Sequence, residues 1–492
     1  MEIRRPSANA RSRSARQPRP RNSRAERLDP EERAAEGKAA RAKVALEAHA
    51  DFQPAKSRDP VALLLGQAET RVPELVPIRH GRMLVSPFTF YRGAALVMAA
   101  DLATTPTPGL QTQLCGDAHL SNFGTYASPE RQLVFDINDF DETLPGPFEW
   151  DVKRLAASFV VAGRDNGFSR KQYRKATLAA VESYRTAMKA FAAQPILSVW
   201  YAHLHMEEAI AEYKSSLSAR KLKERKARLK ATEAALAKAR TRDSLQAIGK
   251  LTTVVDGKRQ IVSNPPLVVR LDDMTDVRPD VVRSRVGTLL SAYRNTLQTH
   301  LQILVDHFTL ADVGHKVVGV GSVGTRAWIL LLEAGVESEA VLLQAKQAAP
   351  SALAGFAGKS EYANEGERVV AGQRLMQASS DIFLGWFRAR PTGNRNQNYY
   401  IRQLRDWKMS AVIEDMIPAG MQLYAKWCGW TLARAHARSG DRIAIAAYLD
   451  NSAKFDNAIA DFAERYADQN ERDHAALAAA VADGRVEAQS AV

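Results

Sequence analysis

Residues 115–124 read CGDAHLSNFG, and VFDINDFDE follows at residues 134–142. The first stretch sets an acid, an imidazole and a carboxamide within six positions; the second sets three aspartates around a phenylalanine. Both border apolar, β-prone sequence. TQLCGD reads as a short strand entering a loop after the breaker-rich TPTPGLQ, and RQLVFDIND as a second strand. From Trp150, WDVKRLAASFVVAGRDNG reads as an amphipathic helix with Leu155, Ala156, Phe159 and Val160 on one face. Helical sequence continues over 171–193.

Asp117 and Asn122 stand five residues apart, the D-x-x-x-x-N spacing of a kinase catalytic loop. Phosphoryl transfer needs an acceptor for the substrate hydroxyl proton and an oxygen ligand for Mg²⁺, and a loop carrying Asp then Asn supplies both. Asp139 follows Asn122 by 17 residues, in Asp139-Phe140-Asp141 after a strand. A kinase places its second metal-binding Asp there, because Mg²⁺ takes hard oxygen ligands. Asp136 is the fallback ligand. Asp141 and Glu142 read as turn and cap residues.

GDAHLSN resembles the GDxHxxN loop of aminoglycoside phosphotransferases, choline kinases and their relatives. NDFDETLPGPFEWD resembles the IDFDD…YD segment that follows it there. Over roughly residues 60–485 the chain resembles an uncharacterised bacterial family, domain of unknown function 2252, grouped with kinase-like folds. The resemblance implies ATP and Mg²⁺ as cofactors, Asp117 as catalytic base, and Asn122 and Asp139 as metal ligands. It makes His119 a structural or loop-orienting residue and Asp151 the brace of the catalytic loop. Cys115 departs from it, standing where relatives often carry His before the Gly-Asp pair.

The parts that grip a nucleotide are absent from residues 60–114 and turn up far downstream. HKVVGVGSVGTRAWILLLE (315–333) reads as strand, glycine loop, strand, so that Gly319, Gly321, Ser322 and Gly324 would cover phosphates from a β-hairpin. AVLLQAKQA (340–348) is the next strand, and its Lys346 matches the V-A-I-K lysine that pairs the α/β-phosphates. A helix over 365–387 would carry the lysine's counter-ion, Glu367 or Gln373. YYIRQLRDW (399–407) closes the sheet and leads to a hinge, with Trp407 as packing and Lys408 as surface. LARAHARSG (432–440) resembles the helix that normally precedes the catalytic loop. The order of parts therefore predicts an α+β, kinase-like, two-lobed fold that is circularly permuted, which a fold tolerates when its old termini lie close together. Its small antiparallel β lobe spans 311–408. Its large, mainly helical lobe spans 59–310 and is completed by the helices of 409–492.

The rest of the chain adds bounds. Its 492 residues, 46% hydrophobic and 25% charged, suit two or three packed units. The net charge of +13 is concentrated at the N-terminus, where residues 1–58 read as a disordered basic tail, solvated or in weak contact with nucleic acid or another anionic surface. Residues 206–250 form a charged, alanine-rich helical region, and Asp256-Gly257 is a hairpin turn. No run of about eighteen apolar residues predicts a membrane helix, the N-terminus has no signal-peptide core, and two cysteines are too few for a disulfide framework. A cytoplasmic setting is expected.

The expected activity is ATP- and Mg²⁺-dependent transfer to a hydroxyl acceptor, a small molecule or a protein. Arg79-His80 and Tyr91-Arg92-Gly93 line its acceptor cleft, or else supply a structural arginine pairing an acid such as Asp151. The alternatives are a nucleotide-binding scaffold and an AMP-transferring enzyme. A metallophosphatase would use the Gly-Asp-x-His start together with His203 and His205, but the chain has no adjacent Asn-His pair.

Overall fold

The helix Phe148–Asp165 is the axis of a helical body. Residues 148–163 are buried all round, as a helix enclosed by other elements must be. Arg170–Ala192, Pro418–Ser439 and Lys454–Ala482 pack against it. Arg170–Ala192 starts on a Ser169/Gln172 capping box and lies along Pro418–Ser439. A Cβ on Gly429 would sit 2.0 Å from the Ala180 carbonyl oxygen, so only glycine lets these two backbones approach. The computed structural model that gives these positions describes residues 29–241, 244–265, 267–274, 278–316, 324–335, 339–389, 397–404 and 407–489.

The tail expected over 1–58 is corrected for residues 29–58. Pro30–Lys43 is a helix, opened by Asp29 and Glu32 as a capping box. Arg33 makes two hydrogen bonds of 2.8 Å to the Asp441 carboxylate. Leu46 and Phe52 enter the main core, and Arg58 is buried between Asp101 and Asp473. The helix docks through small residues and ion pairs, burying only Gly37 and Ala40. Such a face leaves no apolar period in the sequence, which is why composition misplaced it. The rest of the basic tail lies outside the described residues.

Strands β1 (Gln111–Leu114), β2 (Phe123–Ala127), β3 (Leu133–Ile137), β4 (Leu144–Pro147) and β5 (Leu204–His205) belong to the helical body. The hairpin β6 (Thr252–Val255) and β7 (Lys258–Ile261) turns through Asp256 and Gly257 at φ 51° and 73°, as the sequence predicts. Then come β8 (Val268–Arg270), β9 (Thr309–Lys316), β10 (Ala327–Glu333), β11 (Ala340–Ala348), β12 (Gly385–Ala389), β13 (Gln397–Gln403) and β14 (Met409–Ser410). β1 pairs with β4, and β14-β2-β3-β5 form a four-stranded sheet. All these ladders are antiparallel, and with the helices they make an α+β architecture.

The largest sheet has the order β12-β13-β11-β10-β9-β8. On one face Leu343, Ala345 and Ile401 pack with Tyr293, Leu297 and Val305. On the other, Ala247, Ile248 and Ile261 cover Ile329, Leu331 and Leu342. The sheet unit thus draws on sequence upstream of residue 311, the boundary expected for it. Glu365–Met376 is helical and lies against β11, β12 and β13. It stops before the expected residue 387, because Trp386 and Phe387 pair across the ladder with Tyr400 and Tyr399. A short apolar run of this kind reads equally as helix or strand. Among the described residues no helix is long and apolar enough to cross a membrane.

Candidate functional site

The Gly-Asp loop leaves β1 through Gly116 at φ +83°, where a Cβ would lie 2.2 Å from the Glu142 carbonyl oxygen. Asp151, in the first turn of the axial helix, accepts hydrogen bonds from the Cys115 and Gly116 amides at 2.7 and 3.1 Å. His436 approaches the same carboxylate at 3.3 Å. Asp151 therefore holds the loop from behind, and it makes no pair with Arg79.

Asp117 projects forward. Both of its contacts with Arg154, from Nε at 2.8 Å and Nη2 at 2.6 Å, fall on Oδ1. Oδ2 faces His119 Nε2 at 3.6 Å, too far for a hydrogen bond. Burial lowers the pKa of His119 to about 4, against the pull of Asp117, so the ring is neutral at neutral pH. The Asn122 amide nitrogen donates to the carbonyl oxygens of Asp117 at 3.1 Å and Asp139 at 3.0 Å, tying the two loops together.

Lys346, on β11 and 2% exposed, reaches across from the large sheet. Its ammonium lies 3.4 Å from Asp139 Oδ2 and closer still to Asp141 Oδ2. Tyr400, paired beside it on β13, donates to Asp141 Oδ1 at 2.8 Å. Burial opposes the lysine's charge, but Asp139 and Asp141 outweigh it and hold its pKa above the usual value. Burial likewise pushes Asp139 up, and Lys346, Arg402 and Lys408 overcome that to hold it well below the usual carboxylate range. Segments 207 residues apart thus share one cluster.

Some expected roles fall elsewhere. Asp136 points away from the cluster and pairs with buried Arg434 at 2.5 Å, so it is a structural acid rather than a fallback ligand. Neither Glu367 nor Gln373 is the counter-ion of Lys346. Gln373 bonds to Gln377, and helix Glu365–Met376 sends Arg368 inward to the Asp141 and Thr143 carbonyls. Asp141 is an ion-pair partner and not only a turn residue. Lys408 is half-buried in the cleft wall rather than a plain surface residue; burial, then Arg402, lower its pKa to about 7 beside Asp139. Gly319, Gly321 and Ser322 lie outside the described residues. Gly324 is described. Its carbonyl accepts from Val72 N at 2.8 Å, and a Cβ on it would lie 2.9 Å from that of Arg71. His203 and His205 pack on each other at 4.0 Å and do not line the cleft. The sequence did hold a cue for Arg154, which follows Asp151 by three residues and so shares its helix face.

A cleft of about 180 Å³ joins Asp117, His119, Asn122, Asp139 and Asp141 to Arg71, Arg79 and Arg92. A larger cavity, about 340 Å³, borders it at Asn138 and Lys408 and is lined by Val341, Phe308 and Phe383. Among the described residues no three His, Cys, Asp or Glu side chains converge as a metal cage. Asp139 and Asn122 instead offer one carboxylate and one carboxamide. That sparse, hard-oxygen set suits Mg²⁺, which is usually bound by one or two carboxylates plus waters and substrate phosphates.

A family model described as an uncharacterized protein conserved in bacteria, DUF2252, matches residues 71–480. No curated protein and no solved structure matches the chain.

Proposed function

The chain belongs to the DUF2252 family, and from that premise we propose that it is an ATP- and Mg²⁺-dependent phosphotransferase acting on a hydroxyl acceptor. The observation that carries this is the Lys346 ammonium within 3.4 Å of Asp139, beside a loop that presents Asp117 and Asn122. The connection from β9 to β10, the lysine on β11 and the helix after it follow the part order of a kinase small lobe. That lobe comes after the catalytic loop in this chain, so the proposed fold is kinase-like, two-lobed and permuted.

Each side chain then has a task. Asp117 takes the acceptor's proton on Oδ2, since Arg154 occupies Oδ1. Lys346 supplies a permanent cation for the phosphates. Asn122 and Asp139 would hold Mg²⁺, which when bound neutralises charge on the phosphoryl group. The base of the nucleotide is assigned to the 340 Å³ cavity, because that cavity borders the cleft at Asn138 and Lys408 and offers Phe308, Val341 and Phe383 as apolar walls. A cytoplasmic setting, where ATP is supplied, goes with this activity.

One observation favours a second reading, a nucleotide-binding scaffold or an AMP-transferring enzyme. The buried Arg154 guanidinium lies against Asp117 and takes one of its two carboxylate oxygens, leaving the acid placed as a structural partner as much as a proton acceptor. The test is incubation with Mg²⁺ and ATP labelled at the α- or γ-phosphorus, over pools of hydroxyl metabolites and proteins. Transfer of the γ label supports the phosphotransferase. Transfer of the α label supports AMP transfer, and nucleotide binding without either supports the scaffold.

A further inference from the structure

The cations of the cleft fall into two sets. Lys346, Arg402 and Lys408 act on Asp139. Arg71, Arg79 and Arg92 line the opposite part of the cleft, with Asp117 and Glu142. In the second set Arg79 is completely buried, at 0% exposure. Its Nη2 donates to Gln67 Oε1 and the Gly93 carbonyl, both at 2.8 Å, while Nε and Nη1 have no hydrogen-bond partner. Arg92 Nε is also unpartnered. Among the described residues neither Arg79 nor Arg92 makes an ion pair.

Buried guanidinium N–H groups without acceptors are costly, and proteins normally pair them. The nearby acids are committed elsewhere. Asp117 is held by Arg154, Asp141 by Lys346 and Tyr400, and Glu142 accepts from the Ala352 amide at 2.5 Å. Glu142 still attracts Arg71 and Arg79, Asp141 attracts Arg71, and Asp117 and Glu414 attract Arg92. Burial nevertheless lowers the pKa of all three arginines, and Arg71 adds repulsion on Arg79. Guanidinium forks match phosphate and carboxylate oxygens in pairs. In the phosphotransferase reading Lys346 of the first set serves the triphosphate, and the second set stands beside Asp117.

Resting on the phosphotransferase reading, we propose that Arg71, Arg79 and Arg92 form an anion site that holds a phosphate or carboxylate group of the acceptor beside Asp117. The acceptor is then a hydroxyl compound that already carries an acid group.

Calorimetric titration of the full chain tests this. Inorganic phosphate and succinate are the probes, each added with and without saturating Mg²⁺·AMP-PNP. One probe should bind the nucleotide-loaded protein, and which one does identifies the anion class. Arg92→Gln should weaken that binding at least tenfold while changing Mg²⁺·AMP-PNP affinity less than threefold; Arg79→Lys, which keeps the buried charge, tests the same point if Arg92→Gln misfolds. Phosphate that competes with AMP-PNP would assign the arginines to the nucleotide and overturn the proposal while leaving phosphotransfer standing. Absence of binding by both probes would also overturn it. Failure of Mg²⁺·AMP-PNP to bind would sink the phosphotransferase reading and the acceptor assignment with it. Arg92-dependent phosphate binding to the nucleotide-free chain would then leave only an anion site.

Discussion

Replacing Asp117 by Asn separates catalysis from folding and binding. Asn keeps an acceptor oxygen for Arg154, but it cannot take up a proton. A positioned general base contributes about 10²–10⁴-fold, so kcat should fall by that factor. The structural cost is bounded by the surroundings of Arg154. Its guanidinium is 3% exposed, and stranding a buried charge costs about 3–5 kcal/mol. Here it keeps its bond to the Tyr91 carbonyl at 2.8 Å and its place 4.3 Å over the Tyr91 ring. Asp117, at 22% side-chain exposure, is also partly solvated. The loss should be about 1–2 kcal/mol, a fall in Tm of only about 1–2 °C for a chain of this length. Single-turnover assays of γ-phosphoryl transfer, with calorimetric Kd for Mg²⁺·AMP-PNP, give both numbers. Transfer within threefold of wild type, or affinity lost in step with activity, would refute the role assigned to Asp117.

Further outcomes follow from burial and close packing. His119 stays neutral down to about pH 4 in the folded chain but protonates near its ordinary 6.5 when unfolded. Its contribution is complete above pH 6.5 and lost as pH falls towards 4; denaturant titrations at pH 7 and 4.5 should show about 2–3 kcal/mol of it. The loss should shrink in His119→Gln, and equal slopes would contradict this. Lys408, at about 7, should take up a proton when phosphates arrive, so Mg²⁺·AMP-PNP affinity should fall above pH 7 by at most about tenfold per pH unit. A Lys408→Met variant that keeps the dependence would remove Lys408 as its source. Gly429→Ala forces a Cβ against the Ala180 carbonyl and should cost about 1–3 kcal/mol, whereas Gly249→Ala, with open space around it, should be neutral or stabilising. Comparing the two melting temperatures checks this.

The grouping of Asp117, Asn122, Asp139 and Lys346 was more legible in the sequence than the element boundaries. Asp117, Asn122 and Asp139 carry fixed spacings, and Lys346 sits on an apolar strand. Their assembly could be argued from the order of these parts along the chain. Asp136 misled because it lies within β3 and turns to Arg434, whereas Asp139 lies beyond the strand's end at Ile137, and spacing does not tell which of the two meets the cleft. Lys408 and Arg368 were missed for the opposite reason. A charged residue reads as solvated unless something marks it as buried, and burial here comes from segments hundreds of residues away. The helix Pro30–Lys43 was hidden by its composition, since it docks through Gly37, Ala40 and Arg33.

That two distant segments make one triphosphate site is tested most directly by titrating Mg²⁺·AMP-PNP into wild type, Lys346→Met and Asp139→Asn. A charge-assisted contact is worth about 1.5–3 kcal/mol, so each variant should bind roughly 10–100-fold more weakly, and wild-type binding should need Mg²⁺. No binding by wild type, or equal affinity in all three, would contradict the shared site.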